Sequence, residues 1–218
     1  MADGRLYLGN RRYSSWSMRG WLLVRLAGLD VEDVVIPMGE AGTPQIQATS
    51  PNGLVPYLEH GDARVWESLA IAEYCAEITP ALWPADRLAR ANARAIAAEM
   101  HAGFRGLRMA MPMNLGRRFP GHGQTPDAAT DIARITAIWS AAQAEFGGGT
   151  YLFGETLTAA DAMFAPVVAR FLTYGVDLPP AAAAYCAAIR AHELVAKWYD
   201  LAAEEPESWL LKKYESIA

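Results

Sequence analysis

Apolar positions along the first eighty residues change period several times. RLYLGN at 5–10 predicts a short strand, and Met18, Trp21, Leu22, Leu26 and Leu29 then recur at helical spacing, with Gly28 near the end of that helix. VEDVVIPM at 31–38 predicts a second strand. The stretch 39–53 is turn-rich and leaves room for a short helix at most. LVPYLEH at 54–60 and ARVW at 63–66 flank Gly61-Asp62 and predict a hairpin, and SLAIAEYCAEI at 68–78 is apolar at 69, 71, 72, 75 and 78, a helical pattern. The order is β-α-β, an irregular crossover, then β-β-α. Crossovers between parallel strands are right-handed in nearly all cases, so few topologies remain.

Beyond that point the strand pattern stops. TPALWPADR at 79–87 carries two prolines and no periodicity and predicts a linker. The segment 85–111 predicts one long alanine-rich helix, which Pro112 ends or kinks. A Gly/Pro loop follows at 114–127, then helices at 127–146, 158–175, 181–193 and 194–205. The helix at 158 opens with Thr158-x-x-Asp161, a capping-box pattern with Asp in place of Glu or Gln. The chain thus divides into an α/β unit over residues 1–80 and an all-α unit over 86–218.

Composition narrows the function classes. Hydrophobic residues make up 52% of the 218 positions and charged ones 20%, the balance of a folded globule rather than a disordered chain. A net charge of −5 argues against a nucleic-acid surface or an anionic-membrane patch. No run reaches the roughly 20 apolar residues of a membrane span, and the N-terminus lacks the layout of a signal peptide. Cys75 and Cys186 lie far apart, on apolar helix faces, and read as buried and inert. His60, His101, His122 and His192 show no metal-ligand spacing and read as surface or capping residues, so no metal is expected. These features place the protein in a reducing cytoplasm.

Candidate chemistry lies at three points of the first unit: Ser14-Ser15-Trp16-Ser17 opening the first helix, Val55-Pro56 heading the hairpin, and Glu67-Ser68 at the mouth of the next helix. With LWP in the linker and TAAD in the second unit, they resemble the glutathione transferase family over essentially the whole chain. SSWSMR is similar to the S-S-C-x-x-R signature of the zeta class, with Trp16 where that class has cysteine. The resemblance implies a thioredoxin-like N-terminal domain, an all-α helical C-terminal domain and a homodimer. It also implies glutathione as co-substrate, a small electrophile as acceptor, and a role in detoxification.

Glutathione chemistry turns on its thiol, which is only about 3% ionised at pH 7. Lowering its pKa by roughly two units requires about 2.7 kcal/mol, within reach of one charge-assisted hydrogen bond aided by a helix N-terminus. The resemblance makes Ser14 the thiolate donor, with Ser15 and Trp16 beside it and Ser17 left as the helix cap. Tyr7 is a rival that reads as core, and Tyr13 a second rival. A cis Val55-Pro56 bond would present Val55's backbone to the cysteinyl part of glutathione, as an added strand would. Glu67 suits the γ-glutamyl ammonium and Ser68 its carboxylate, while Gln45 is placed at the glycine end. Met109, Met111 and Met113 could line an acceptor pocket, and Arg105, Arg108, Arg117 and Arg118 could receive an anionic acceptor. Zeta-class enzymes isomerise maleylacetoacetate with an arginine on the TAAD helix. Here Thr173 takes that place, with Arg170 one turn earlier, so a glutathione-dependent isomerase is a second reading. A non-catalytic protein-interaction module on the same fold is a third.

Overall fold

The computed structural model describes residues 2–39 and 43–216. Strands β1 (Gly4–Leu8), β2 (Glu32–Val35), β3 (Tyr57–His60) and β4 (Ala63–Trp66) form one sheet in the order β2-β1-β3-β4. β1 runs parallel to β2 and antiparallel to β3, and β3 pairs with β4 as a hairpin. Helices α1 (Ser15–Leu26), α2 (Pro44–Thr49) and α3 (Ser68–Ile78) complete this half. The irregular crossover resolves into α2, and residues 40–42 of it lie outside the described set. After α3 every regular helix or strand described is helical: α4 (Arg87–Ala102), α5 (Arg105–Ala110), α6 (Pro126–Phe146), α7 (Ala159–Tyr174), α8 (Pro180–Ala191), α9 (Glu193–Ala203) and α10 (Lys212–Glu215), with 3-10 turns at Pro80–Leu82 and Glu207–Trp209. A thioredoxin-like sheet with a helical second half is the architecture the sequence implied.

Three expectations change. The helix expected over 85–111 breaks at Gly103 and Phe104, well before Pro112. Phe104 adopts the left-handed conformation at φ 60° and buries its ring. Arg108 then reaches back to the carbonyls of Met100 and Gly103, satisfying acceptors that the end of α4 leaves open. The hairpin ladder begins at Tyr57 rather than at Leu54, after the cis Val55-Pro56 bond, and the chain ahead of it lies outside the sheet. Tyr7 is not core: its ring stacks on Tyr57 across the sheet and its hydroxyl donates to Glu59, while Leu6 and Leu8 face inward.

The central element is α1. Nine of its twelve residues are buried, so it lacks a free polar face. It packs on β1 and α3 of its own half and on α7 and α9 of the helical half. Trp21 meets Trp198 of α9, and the Arg19 Nε donates to the carbonyl of Met163 in α7 at 2.8 Å. Gly20 lets this helix approach the hairpin, since a Cβ there would lie 2.6 Å from the ring of Pro56.

α7 is anchored by its own cap. The fully buried Asp161 carboxylate accepts from the N–H and hydroxyl of Thr158, from Leu152 N–H and from Tyr185 O–H. Asp161→Ala strands these donors in an apolar interior, and we expect about 2–4 kcal/mol of lost stability in urea unfolding. A loss below about 1 kcal/mol would show that water replaces the carboxylate.

Candidate active site

The N-terminus of α1 opens into a cleft between the two halves. One lobe, of about 290 Å³, is lined by Ser14, Trp16, Met38, Ile46, Gln47, Gly53, Leu54 and Val55. The other, of about 360 Å³, is lined by Trp16, Asn52, Val55, Pro56, Glu67 and His101. Trp16, Leu54 and Val55 belong to both, so the lobes meet beside the first turn of α1.

Ser14 is the N-cap of α1, with extended backbone (φ −82°, ψ 94°) and its Oγ accepting from Ser17 N–H at 3.2 Å. The cap expected at Ser17 therefore moves to Ser14. Ser17 instead lies buried in the first turn, accepting from Gly9 N–H at 2.9 Å and from the Ser14 hydroxyl at 2.8 Å. Ser15 faces the helical half, where its Oγ accepts from Arg170 at 3.3 Å.

The loop ahead of Ser14 is held by the end of the chain. The Glu205 carboxylate accepts from the N–H groups of Arg11 and Arg12, at 2.6 and 3.2 Å. Asn10 donates to the carbonyl of Trp209 and accepts from Met38 N–H, while its own carbonyl takes the N–H of Ser14 at 2.8 Å. Tyr13 is committed here too. Its hydroxyl donates to Glu215 and accepts from Leu211 N–H, and burial followed by the Glu215 bond pushes its phenol pKa far up. A phenol so engaged is not free to meet a thiolate in the cleft.

One wall of the cleft is rich in cations. The guanidinium carbons of Arg19 and Arg108 each lie 4.8 Å from the Trp16 ring, and His101 meets that ring edge-on. Arg19 is fully buried, and among the described residues neither of its terminal nitrogens has a hydrogen-bond partner. Arg170, on α7, donates to the carbonyls of Met111 and Pro166 as well as to Ser15. Burial first, then repulsion between the cations, pushes the pKa of Arg19 down well below its ordinary range and that of Arg170 down to about 9. Burial likewise lowers Arg108 and His101. Guanidiniums stay protonated in proteins, so burial and mutual repulsion stand as a cost that a nearby anion would lower.

Glu67, the N-cap residue ahead of α3, has φ 70°, a positive value rare for a residue with a side chain. Its carboxylate accepts from Asn52 at 3.1 Å and lies 3.5 Å from His101 Nε2. The Ser68 hydroxyl is buried and has no partner among the described residues.

The structure brings Ser14, Ser15, Trp16, Val55, Pro56, Glu67, Ser68, Arg108 and Arg170 to or beside this cleft, and leaves three other candidates out. Gln45 is exposed on α2 and does not line the cleft, whereas Gln47, two residues on, lines the first lobe. Met109 is 72% exposed and lines an open groove of about 630 Å³ between α5 and α6, because the break at Phe104 turns that segment outward. Met113 and Met111 are buried in the core. Among the other arginines Arg105 and Arg118 are exposed, and Arg117 pairs with Glu215 at 2.7 Å. Thr173 is buried and donates to the carbonyl of Asn114. Sequence reasoning missed His101, which it read as surface or capping, and Arg19, which stood within SSWSMR without a role. Among the described residues no helix is long and apolar enough to cross a membrane, and no cluster of His, Cys, Asp and Glu could hold a metal.

Comparison with known proteins agrees with this layout. Residues 13–78 match the family model described as glutathione S-transferase, N-terminal domain, and residues 115–201 match the glutathione S-transferase, C-terminal domain. The chain is 30% identical over 182 residues to a maleylacetoacetate isomerase of Rattus norvegicus, covering 80% of this chain and 81% of that one. It is 30% identical over 180 residues to a maleylpyruvate isomerase of Ralstonia sp, covering 77% and 85%. In fold it is similar to a glutathione transferase homolog from Burkholderia gl BGR1 solved with bound glutathione, with a TM-score of 0.69 at 24% identity over 93% of this chain and 99% of that one.

The cysteines take no part in the cleft. Burial pushes the thiols of Cys75 and Cys186 up to about 12. Native protein at pH 8 should therefore react with a disulfide reagent roughly a hundredfold more slowly than unfolded protein. One fast-reacting thiol in the native state would contradict this burial.

Proposed function

The chain belongs to the glutathione S-transferase family, and on that footing we propose that it conjugates glutathione thiolate to small electrophiles, with Ser14 as the group that stabilises the thiolate. The observation that carries this reading is the Ser14 hydroxyl at the N-terminus of α1, lining a lobe beside Val55. There the hydroxyl and the helix N-terminus act on one charge, and together they reach the roughly 2.7 kcal/mol that a two-unit pKa reduction needs. Residues 1–80 hold glutathione: Val55 pairs its backbone, Glu67 takes the γ-glutamyl ammonium and Ser68 the carboxylate. Gln47, rather than Gln45, faces the glycine end. Residues 86–218 supply the acceptor wall, with Arg108 over the Trp16 ring of the first half, near the sulfur. A scaffold for protein contacts would not need these groups assembled in one cleft.

The arginines favour a second reading, a glutathione-dependent cis-trans isomerase of the maleylacetoacetate type. Arg108 and Arg170 flank Ser15 and Trp16, and their hydrogen bonds run to carbonyl and hydroxyl oxygens. Such guanidiniums suit the carboxylates of a maleyl substrate. The thiolate would add to one alkene carbon, the resulting single bond would rotate, and loss of the same thiolate would restore the alkene in the trans form. Both relatives described above carry maleyl isomerase names.

We also place the protein in the cytoplasm as a homodimer serving detoxification. Leu88, Ala91, Ala95, Ala98 and Ala102 form an exposed apolar line along α4, a face that a second copy would cover.

Ser14→Ala should bind glutathione at about pH 5.5 within about twofold of wild type yet lose roughly 20-fold in kcat/KM toward chlorodinitrobenzene at pH 7, the ratio of thiolate fractions with and without a two-unit shift. Wild-type rates in the mutant would remove Ser14 from the mechanism. Glutathione-dependent isomerisation of maleylpyruvate, exceeding turnover of the neutral acceptor, would select the second reading.

A further inference from the structure

A helix cap needs only one bond, from a backbone N–H to the cap oxygen. Ser14 has that bond from Ser17 N–H, but its hydroxyl is also tied to the Ser17 side chain at 2.8 Å. Ser17 is fully buried and accepts from Gly9 N–H, at the end of β1, at 2.9 Å. Its hydroxyl therefore bridges the sheet to the one side chain assigned to the sulfur. The neighbouring Ser15 has no such support, since its oxygen is committed to Arg170.

We propose that Ser17 is a positioning residue that orients and polarises the Ser14 hydroxyl for the thiolate, an inference that rests on the reading of Ser14 given above. Without glutathione, the Ser14 O–H donates its hydrogen bond to Ser17 Oγ. An anionic sulfur is the stronger acceptor, so the Ser14 O–H turns to it. The Ser17 O–H, still accepting from Gly9 N–H, then turns to donate to the Ser14 oxygen. Two hydroxyl rotors turn; no covalent bond breaks and no proton changes its atom. The result is a directed series: Gly9 N–H to Ser17 O–H, Ser17 O–H to Ser14 O–H, Ser14 O–H to sulfur. Each donor is strengthened by the one behind it, and the Ser14 oxygen gains a second donor alongside Ser17 N–H. Deleting the Ser17 hydroxyl leaves Ser14 capped and able to donate, but unsupported, and strands the Gly9 N–H.

The test is ultraviolet titration of the thiolate of bound glutathione in wild type, Ser17→Ala, Ser17→Thr and Ser14→Ala. Ser17→Ala should raise the bound thiol's pKa by roughly one pH unit, about half the effect of Ser14→Ala, with glutathione affinity at about pH 5.5 within about twofold of wild type. Ser17→Thr, which keeps the hydroxyl, should restore the wild-type value. A folded Ser17→Ala protein with an unchanged thiol pKa overturns the proposal, as does a Thr variant that behaves like Ala. Should Ser17→Ala fail to fold, Ser17→Cys serves in its place: a value between wild type and Ser14→Ala supports the proposal, and a wild-type value overturns it. A wild-type protein that leaves the thiol pKa at its free value, or a Ser14→Ala protein matching wild type, overturns the thiolate reading of Ser14 itself. That outcome is distinct from a Ser17 variant that alone has no effect.

Discussion

Burial of α1 on all sides is the constraint on which the rest of the site depends. An amphipathic surface helix could shift along its axis at little cost, but this one is fixed by both halves at once. Trp21 meets Trp198, Arg19 bonds the carbonyl of Met163, and Gly20 lies against Pro56. The first turn of α1 is therefore set to within the tolerance of a packed core, and core packing yields little to displacement. Asn10, Glu205 and Glu215 then tie the approach to that turn to the C-terminal segment. The serines at the opening of the helix inherit this rigidity, which is what a group that must meet a sulfur needs.

The same packing creates the site's electrostatic demand. Placing Arg19, Arg108 and Arg170 close to one another in a partly dry interface is unfavourable without a compensating charge. Carbonyl oxygens, the Trp16 ring and the Asp131 charge beside Arg108 offset part of that cost, and an anion in the cleft would offset more. A glutathione thiolate supplies one negative charge, and the carboxylates of a maleyl acceptor would supply more. Trp16 thus does more than replace a small side chain: it covers the cations while forming a wall common to both lobes.

Much of this was legible in the sequence because the informative signals were local. The alternation in β1, the turn at Gly61-Asp62 and the Thr158-x-x-Asp161 cap each follow from a few neighbouring residues, and the motif order carried the family resemblance. What escaped depends on where helices lie relative to one another. The break at Phe104 has no proline to announce it, and it is this break that turns Met109 to solvent and Arg108 toward Trp16. His101 enters the cleft only because α4 passes α3, a contact that no spacing along the chain encodes. That Gln47 rather than Gln45 lines the lobe, and that Ser14 rather than Ser17 caps α1, are differences of two or three residues within a single turn. Local pattern marks the element but leaves its starting residue open by that much.

The central claim is that the sulfur of glutathione meets Ser14, and a crystal structure with glutathione bound tests it most directly. The account predicts the sulfur within hydrogen-bond distance of Ser14 Oγ, the γ-glutamyl head at Glu67 and Ser68, and the cysteinyl backbone paired with Val55. A sulfur seated instead against Ser15 and Arg170, with Ser14 still bonded only to Ser17, would contradict it.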